Sequence, residues 1–213
     1  MNTEQLIESL SADVQRVPRH ALARRIGFGI IGGALVALIV VVSVLGVRPD
    51  LRIAMHGFAF WMKWTYTISL GIGAVYAVSR LGRPLSGSLR GLWLFAVPVL
   101  VLAGIGIGEL SRTPSQHWFE MWLGKSWMVC PWLVLGISVP IFAGLLWSFR
   151  KLAPTRLRAA GAAAGLAAGA WAATIYCVHC PEVSAIFVLT WYSLGILLAT
   201  GTGALLGPRL LRW

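Results

Sequence analysis

Ile26-Gly27-Phe28-Gly29-Ile30-Ile31-Gly32-Gly33-Ala34-Leu35-Val36-Ala37-Leu38-Ile39-Val40-Val41-Val42-Ser43-Val44-Leu45-Gly46-Val47 runs without a charged side chain. A helix needs about 20 mostly apolar residues to cross the hydrocarbon core of a bilayer. This run supplies them between Arg24-Arg25 and Arg48-Pro49-Asp50. Its apolar residues are continuous and do not alternate, which argues against the strands of a membrane barrel. Working outward, five more such runs follow: Gly57–Val78, Leu92–Glu109, Trp127–Trp147, Ala159–Tyr176 and Val183–Leu206. The breaks between them carry charge or proline, as at Arg80-Leu81-Gly82-Arg83-Pro84 and Arg150-Lys151-Leu152-Ala153-Pro154. Charged residues make up 12% of the chain, against roughly 25% in soluble domains. The expectation is an all-α integral membrane protein: a tail over 1–25 and a six-helix transmembrane domain over 26–213. The tail lacks the basic stretch and short apolar core of a cleaved signal, so the first run reads as a retained helix.

Basic residues set the expected orientation. With the N-terminus cytoplasmic, inside segments hold Arg16, Arg19, Arg24, Arg25, Arg80, Arg83, Arg90, Arg150, Lys151, Arg156, Arg158, Arg209 and Arg212. Outside segments hold Arg48, Arg52, Lys63, Arg112 and Lys125. Thirteen against five satisfies the positive-inside rule and places both termini in the cytoplasm. The net charge of +11 then reads as topology signal and contact with anionic lipid, with no direct nucleic-acid partner.

The chemistry-bearing stretch is Tyr176-Cys177-Val178-His179-Cys180-Pro181-Glu182. In this topology Cys177 and Cys180 close the fifth helix on the outer side, and Cys130 opens the fourth at matching depth. Residues at i and i+3 share a helix face, so Cys177 and Cys180 point together if the helix continues that far. Pro181 is expected to start the sixth helix, where its missing N–H costs nothing. Three chemistries fit. One is a disulfide joining Cys130 to Cys180 or Cys177 in an oxidising compartment. Another is a metal site: thiolates with an imidazole suit zinc, copper(I) or another heavy-metal ion, with His179, Glu182, His117 or His56 as further ligands. The third is a catalytic dithiol. The order C-V-H-C-P does not match c-type haem attachment. Against all three stands plain packing of small side chains at a helix end.

Elsewhere the chain offers less. Leu6, Ile7, Leu10, Val14 and Val17 form one stripe of a tail helix over Thr3–Val17, which can rest on a membrane or dock in a partner's groove. Gly161, Gly165 and Gly169 put a flat ridge on the fifth run, for packing within the bundle or for a sliding or dimerising surface. Lys63 and Glu109 lie near the outer ends of their runs, which leaves no mid-membrane charge chain for ion-coupled transport.

Several short motifs carry a family resemblance. They are Thr3-Glu4-Gln5-Leu6-Ile7, Arg48-Pro49-Asp50-Leu51, Phe60-Trp61-Met62-Lys63, Gly124-Lys125-Ser126-Trp127, Leu152-Ala153-Pro154-Thr155-Arg156, His179-Cys180-Pro181-Glu182, Trp191-Tyr192 and Gly207-Pro208-Arg209-Leu210-Leu211-Arg212-Trp213. The chain resembles, over nearly its whole length, the NrsF (negative regulator of sigma F) family of bacterial six-helix membrane anti-sigma factors. The resemblance implies a non-enzymatic inner-membrane protein that holds an extracytoplasmic-function sigma factor inactive. It also implies release on a periplasmic metal or oxidant signal, with Cys130 and Cys180 matching the family's two key cysteines. Cys177 is additional to that pattern. Two rival classes are a membrane thiol-disulfide oxidoreductase using Cys177 and Cys180, and a small metal transporter. The odd number of cysteines weighs against the first and the sparse mid-membrane ligands against the second.

Overall fold

The computed structural model describes residues 3–5, 7, 21–82, 95–149, 154 and 156–212. Among them there is no strand. Helix α1 (Ala21–Val40) runs on through a π-helical turn, Val41–Leu45, and stops at Gly46. Gly46 has φ 79°, a left-handed value that ends a helix at no steric cost to glycine. Then come α2 (Phe58–Leu81), α3 (Ala96–Arg112), the short α4 (Trp118–Leu123), α5 (Cys130–Phe149), α6 (Leu157–Tyr176) and α7 (Ala185–Leu210). A second π turn, Val188–Tyr192, interrupts α7 near its start.

Helices thus occupy the described part of each of the six apolar runs, and among the described residues four are long and apolar enough to cross a membrane: Leu22–Leu45, Cys130–Phe149, Leu157–Tyr176 and Ala185–Leu210. α3 has only 17 residues, and α2 draws much of its bulk from Trp, Tyr, Thr, Ser and Gly rather than aliphatic side chains.

The tail stripe falls mostly outside the described residues: Leu6, Leu10, Val14 and Val17 are not among them. Ile7 is helical and 62% exposed.

α6 is the hub, packing on α2, α5 and α7. Lipid gives apolar side chains no gain on association, so membrane helices rely on close backbone approach through small residues. That approach is visible here. A Cβ added to Gly161 would run into the carbonyl oxygen of Gly203, and one on Gly165 into that of Ala199. Gly203 and Gly207 meet α6 reciprocally. The glycine ridge read from the sequence is therefore the α6–α7 seam of the bundle. A second seam, not expected from the sequence, joins α1 to α5. Gly29 faces Gly144, and Gly33 faces the backbone of Pro140 and Ile141. There the Ser148 hydroxyl donates to the Arg25 carbonyl at 2.9 Å.

Pro181 does not begin a helix. α7 starts at Ala185, where Ser184 is the N-cap and the Glu109 carboxylate accepts from the Ala185 N–H at 2.8 Å. The carboxylate satisfies an N–H that the helix leaves unpaired and sits at the positive end of its dipole. Residues 180–184 are left as a non-helical strap, because the carbonyls of Cys180 and Glu182 are taken by side chains from elsewhere.

Candidate functional site

The α6 helix continues in its hydrogen bonding past Tyr176. The Cys177 N–H donates to Ala173 O at 3.1 Å, and the Cys180 N–H donates to Tyr176 O at 3.0 Å. The turn over 177–180 is thus helix-like, which is the condition for Cys177 and Cys180 to share a face. Cys130 enters from the first turn of α5, its N–H bonded to Ser126 O at 2.9 Å. All three stand as free thiols with no exposed surface. Two tyrosines line the cluster. The Tyr176 hydroxyl interacts with Cys130 and Cys180, and Tyr192 lies close to all three. The Tyr192 hydroxyl, fully buried, nonetheless makes no hydrogen bond of good geometry, so polar capacity is left over inside the cluster.

Basic side chains hold the strap. Lys63, with no exposed surface, donates from Nζ to the carbonyls of Cys180 (3.1 Å) and Glu182 (2.6 Å). Arg48 donates from Nη1 to the same Cys180 carbonyl at 3.2 Å, while its Nε and Nη2 grip the Asp50 carboxylate at 2.7 and 2.6 Å. The Arg48 N–H donates to Val178 O at 3.2 Å. His179 Nδ1 donates to Gly46 O at 2.9 Å. On the other side, Glu182 Oε1 accepts from the Lys125 N–H at 2.7 Å and the Ser126 hydroxyl at 3.2 Å.

The electrostatics follow from these contacts. Just past the last residue of α6, burial pushes the Cys177 thiol up to about 12 although the Lys63 ammonium pulls it down. It is protonated at neutral pH, and a protonated thiol is a poor nucleophile and ligand. A signal must therefore change the site's packing before this thiol reacts. The Arg48 hydrogen bond holds the Asp50 carboxyl below its ordinary value. Its stabilising contribution is complete above the usual carboxylate pKa of about 3.9 and is lost as pH falls through the depressed value.

The further candidate ligands do not join the thiols. His117 pairs with Glu120 at 3.2 Å on the surface, His179 spends Nδ1 on Gly46, and the Glu182 carboxylate turns to Lys125 and Ser126. His56 sits in an exposed turn. Among the described residues no group of three or more Cys, His, Asp or Glu side chains is arranged to hold a metal ion.

Five of the motifs carrying the resemblance converge. Arg48 and Asp50, Lys63, Gly124 to Ser126, His179 to Glu182 and Tyr192 come from five separate places in the sequence and meet around one strap. The family model described as negative regulator of sigma F matches residues 10–213. The chain belongs to the NrsF family. It is 40% identical, over the full length of both chains, to a protein of Azospira oryzae named probable anti-sigma-F factor NrsF. It is 39% identical, again over both full lengths, to the anti-sigma-F factor NrsF of Caulobacter vibrioides. No solved structure matches significantly.

Within this NrsF-family chain, several site residues have roles that the sequence reading missed. Lys63 reads in sequence as a charge near a helix end and Arg48 as a topology marker. One signal was available: Lys63 is the sole charge between Gly57 and Val78, and a charge embedded in an apolar run needs a partner. Gly124 is a second case. It has φ 55°, and an added Cβ would stand 2.7 Å from both Glu182 Oε2 and Phe187. Gly124→Ala should cost about 1–3 kcal/mol from the left-handed backbone alone. It should also lift residues 124–126 off Glu182. Thermal unfolding in detergent and the labelling rate of Cys180 check this; an unchanged midpoint with unchanged labelling would contradict it.

Proposed function

We propose that this chain is a multi-pass anti-sigma factor of the bacterial inner membrane. It sequesters an extracytoplasmic-function sigma factor through its amphipathic tail and releases it when Cys130 and Cys180 receive a periplasmic metal or oxidant signal. In this reading all six apolar helices span, both termini are cytoplasmic, and the cysteine end of the bundle faces the periplasm. The protein is a regulator and not an enzyme.

One observation carries the reading within the family. Cys130, Cys177 and Cys180 gather at the end of the bundle where α1 finishes, a full helix away from Ala21, where α1 begins and the tail leads in. In this reading the input chemistry lies at the end of α1 opposite to the one that the tail joins. Burial of the thiols suits a sensor, since a signal that must open the site to react shifts the protein between two arrangements.

Deletion of residues 2–17 tests the output half. Full-length protein from solubilised membranes should co-purify with the sigma factor, and the truncated protein should capture it at background level. Undiminished capture would remove the tail from the interface.

A further inference from the structure

We propose that α1 is a lever, with Arg48 and His179 as the positioning residues that join its far end to the cysteine turn. The inference rests on the sigma-factor reading only for its biological output. The motion itself is a property of this chain.

Three hydrogen bonds form the latch. The Arg48 N–H reaches Val178 O, Arg48 Nη1 reaches Cys180 O, and His179 Nδ1 reaches Gly46 O. Asp50 fixes the guanidinium so that one nitrogen remains for the Cys180 carbonyl. Lys63 holds that same carbonyl from α2. The carbonyl of the cysteine is therefore the point at which α1, α2 and the strap are tied together.

The rest of α1 is built to pivot. Near its middle and start it lies against α5, backbone on backbone, at Gly29–Gly144 and Gly33–Ile141. Beyond Gly33 the buried stripe of α1 continues through Ala37 and Val41, which have no exposed surface. Along the exposed side of that stripe runs an open groove of about 550 Å³, lined by Val36, Val40 and Val44 of α1 and by Trp132, Gly136 and Pro140 of α5. The arm from Gly33 to Gly46 spans roughly 20 Å and the arm from Gly29 back to Ala21 roughly 12 Å, at 1.5 Å per residue. The long arm is held by the latch and by its buried stripe, with the groove open along its exposed side; the short arm leads into the tail. The π turn Val41–Leu45 lies at the latch end, and such turns are loosened helix that recurs at functional sites.

Cys130 and Cys180 sit on the two bodies that α1 contacts. Cys130 is on α5, which supplies the pivot, and Cys180 is on the turn, which supplies the latch. Any reaction that changes their separation moves the latch relative to the pivot, and α1 must tilt. For a dithiol oxidant such as diamide, two thiols lose two protons and two electrons to form one S–S bond, and the azo reagent becomes the hydrazine.

The test uses hydrogen exchange by mass spectrometry on the purified full-length protein in detergent, before and after diamide, with thiol oxidation confirmed by intact mass. In the wild type, exchange over residues 21–30 should change at least about fivefold, the low end of ordinary coupling between sites. In Arg48→Met, His179→Phe, which removes the side-chain donors of the latch, the thiols should oxidise to the same extent while exchange over 21–30 stays put. Arg48→Lys, His179→Gln restores a donor at each position and should restore the change. A merely structural latch would instead shift exchange before oxidation and leave the response to oxidation intact. Once the thiols are oxidised, no change in the wild type, or an equal change in the latch-broken protein, overturns the lever. Neither result bears on sigma-factor capture, which the tail deletion decides separately.

Discussion

Gly165→Leu should prevent this protein from assembling a stable bundle. Gly165 lies on α6, and a Cβ there would enter the space of the Ala199 carbonyl, with its carbon at 2.9 Å and Thr200 Cα at 3.0 Å. The obstacle is backbone, so no rotamer change relieves it. α6 and α7 must separate, and Gly161 and Gly203, which approach as closely along the same seam, lose their contact too. Overpacking in ordinary cores costs about 1–3 kcal/mol. Prying apart two helix backbones should meet or exceed the top of that range, against a typical total of roughly 5–15 kcal/mol. The loss is compounded because α6 also carries Cys177 and the turn to Cys180. Gly201→Leu is the control, since nothing lies within 4 Å of the Cβ it would add. Yield of monodisperse protein and thermal midpoint in detergent should fall sharply for Gly165→Leu and hardly move for Gly201→Leu. Equal behaviour of the two would mean that the α6–α7 seam does not hold the bundle.

The contrast between those two glycines shows where the sequence is legible. Every fourth residue in Gly161, Gly165 and Gly169 states that one face of a helix is flat, and the helical period makes that a local fact. It does not state which helix lies on that face, because partner choice is a long-range property. Gly29 and Gly33 escaped notice for a related reason. In a run with glycines at 27, 29, 32 and 33, only the position of α5 decides which ones meet a backbone. The thiols follow the same logic. Their common depth follows from counting spans, and the buried cluster agrees with it. The tyrosines that join the thiols depend on packing between separate helices, and Lys63 and Arg48, which tie down the strap, reach segments more than a hundred residues away. Pro181 was misread because proline at a helix start and proline in an extended strap look alike locally. What decides between them is the demand of Lys63 and Arg48 for carbonyls, which only the fold reveals. The tail stripe, read from apolar spacing, awaits its partner in the binding experiment.

Cys130→Ser combined with Cys180→Ser should abolish signal-dependent release while leaving the sigma factor captured in unstimulated cells. Serine is close in size to cysteine, and the Tyr176 hydroxyl, which interacts with both thiols, is at hand for the new hydroxyls. That limits the cost of burying a polar group that would otherwise lack a partner. The fold should therefore survive while the soft, oxidisable sulfur is lost. Each single substitution should be as damaging as the pair, because bridging Cys130 on α5 to Cys180 on the strap needs both. Cys177 should behave differently. Its S–H donates back to the Ala173 carbonyl at 3.2 Å within its own helix, so a reaction confined to it, or to it and Cys180 on the same turn, links no two moving bodies. Cys177→Ala should keep most of the response. The readout is transcription from a sigma-dependent promoter with and without added metal ion or oxidant. Coupling of this kind ordinarily amounts to about 5–150-fold, and in the Cys130 and Cys180 variants the ratio should collapse to about one. Induction that persists unchanged in the double variant would place sensing elsewhere in the protein.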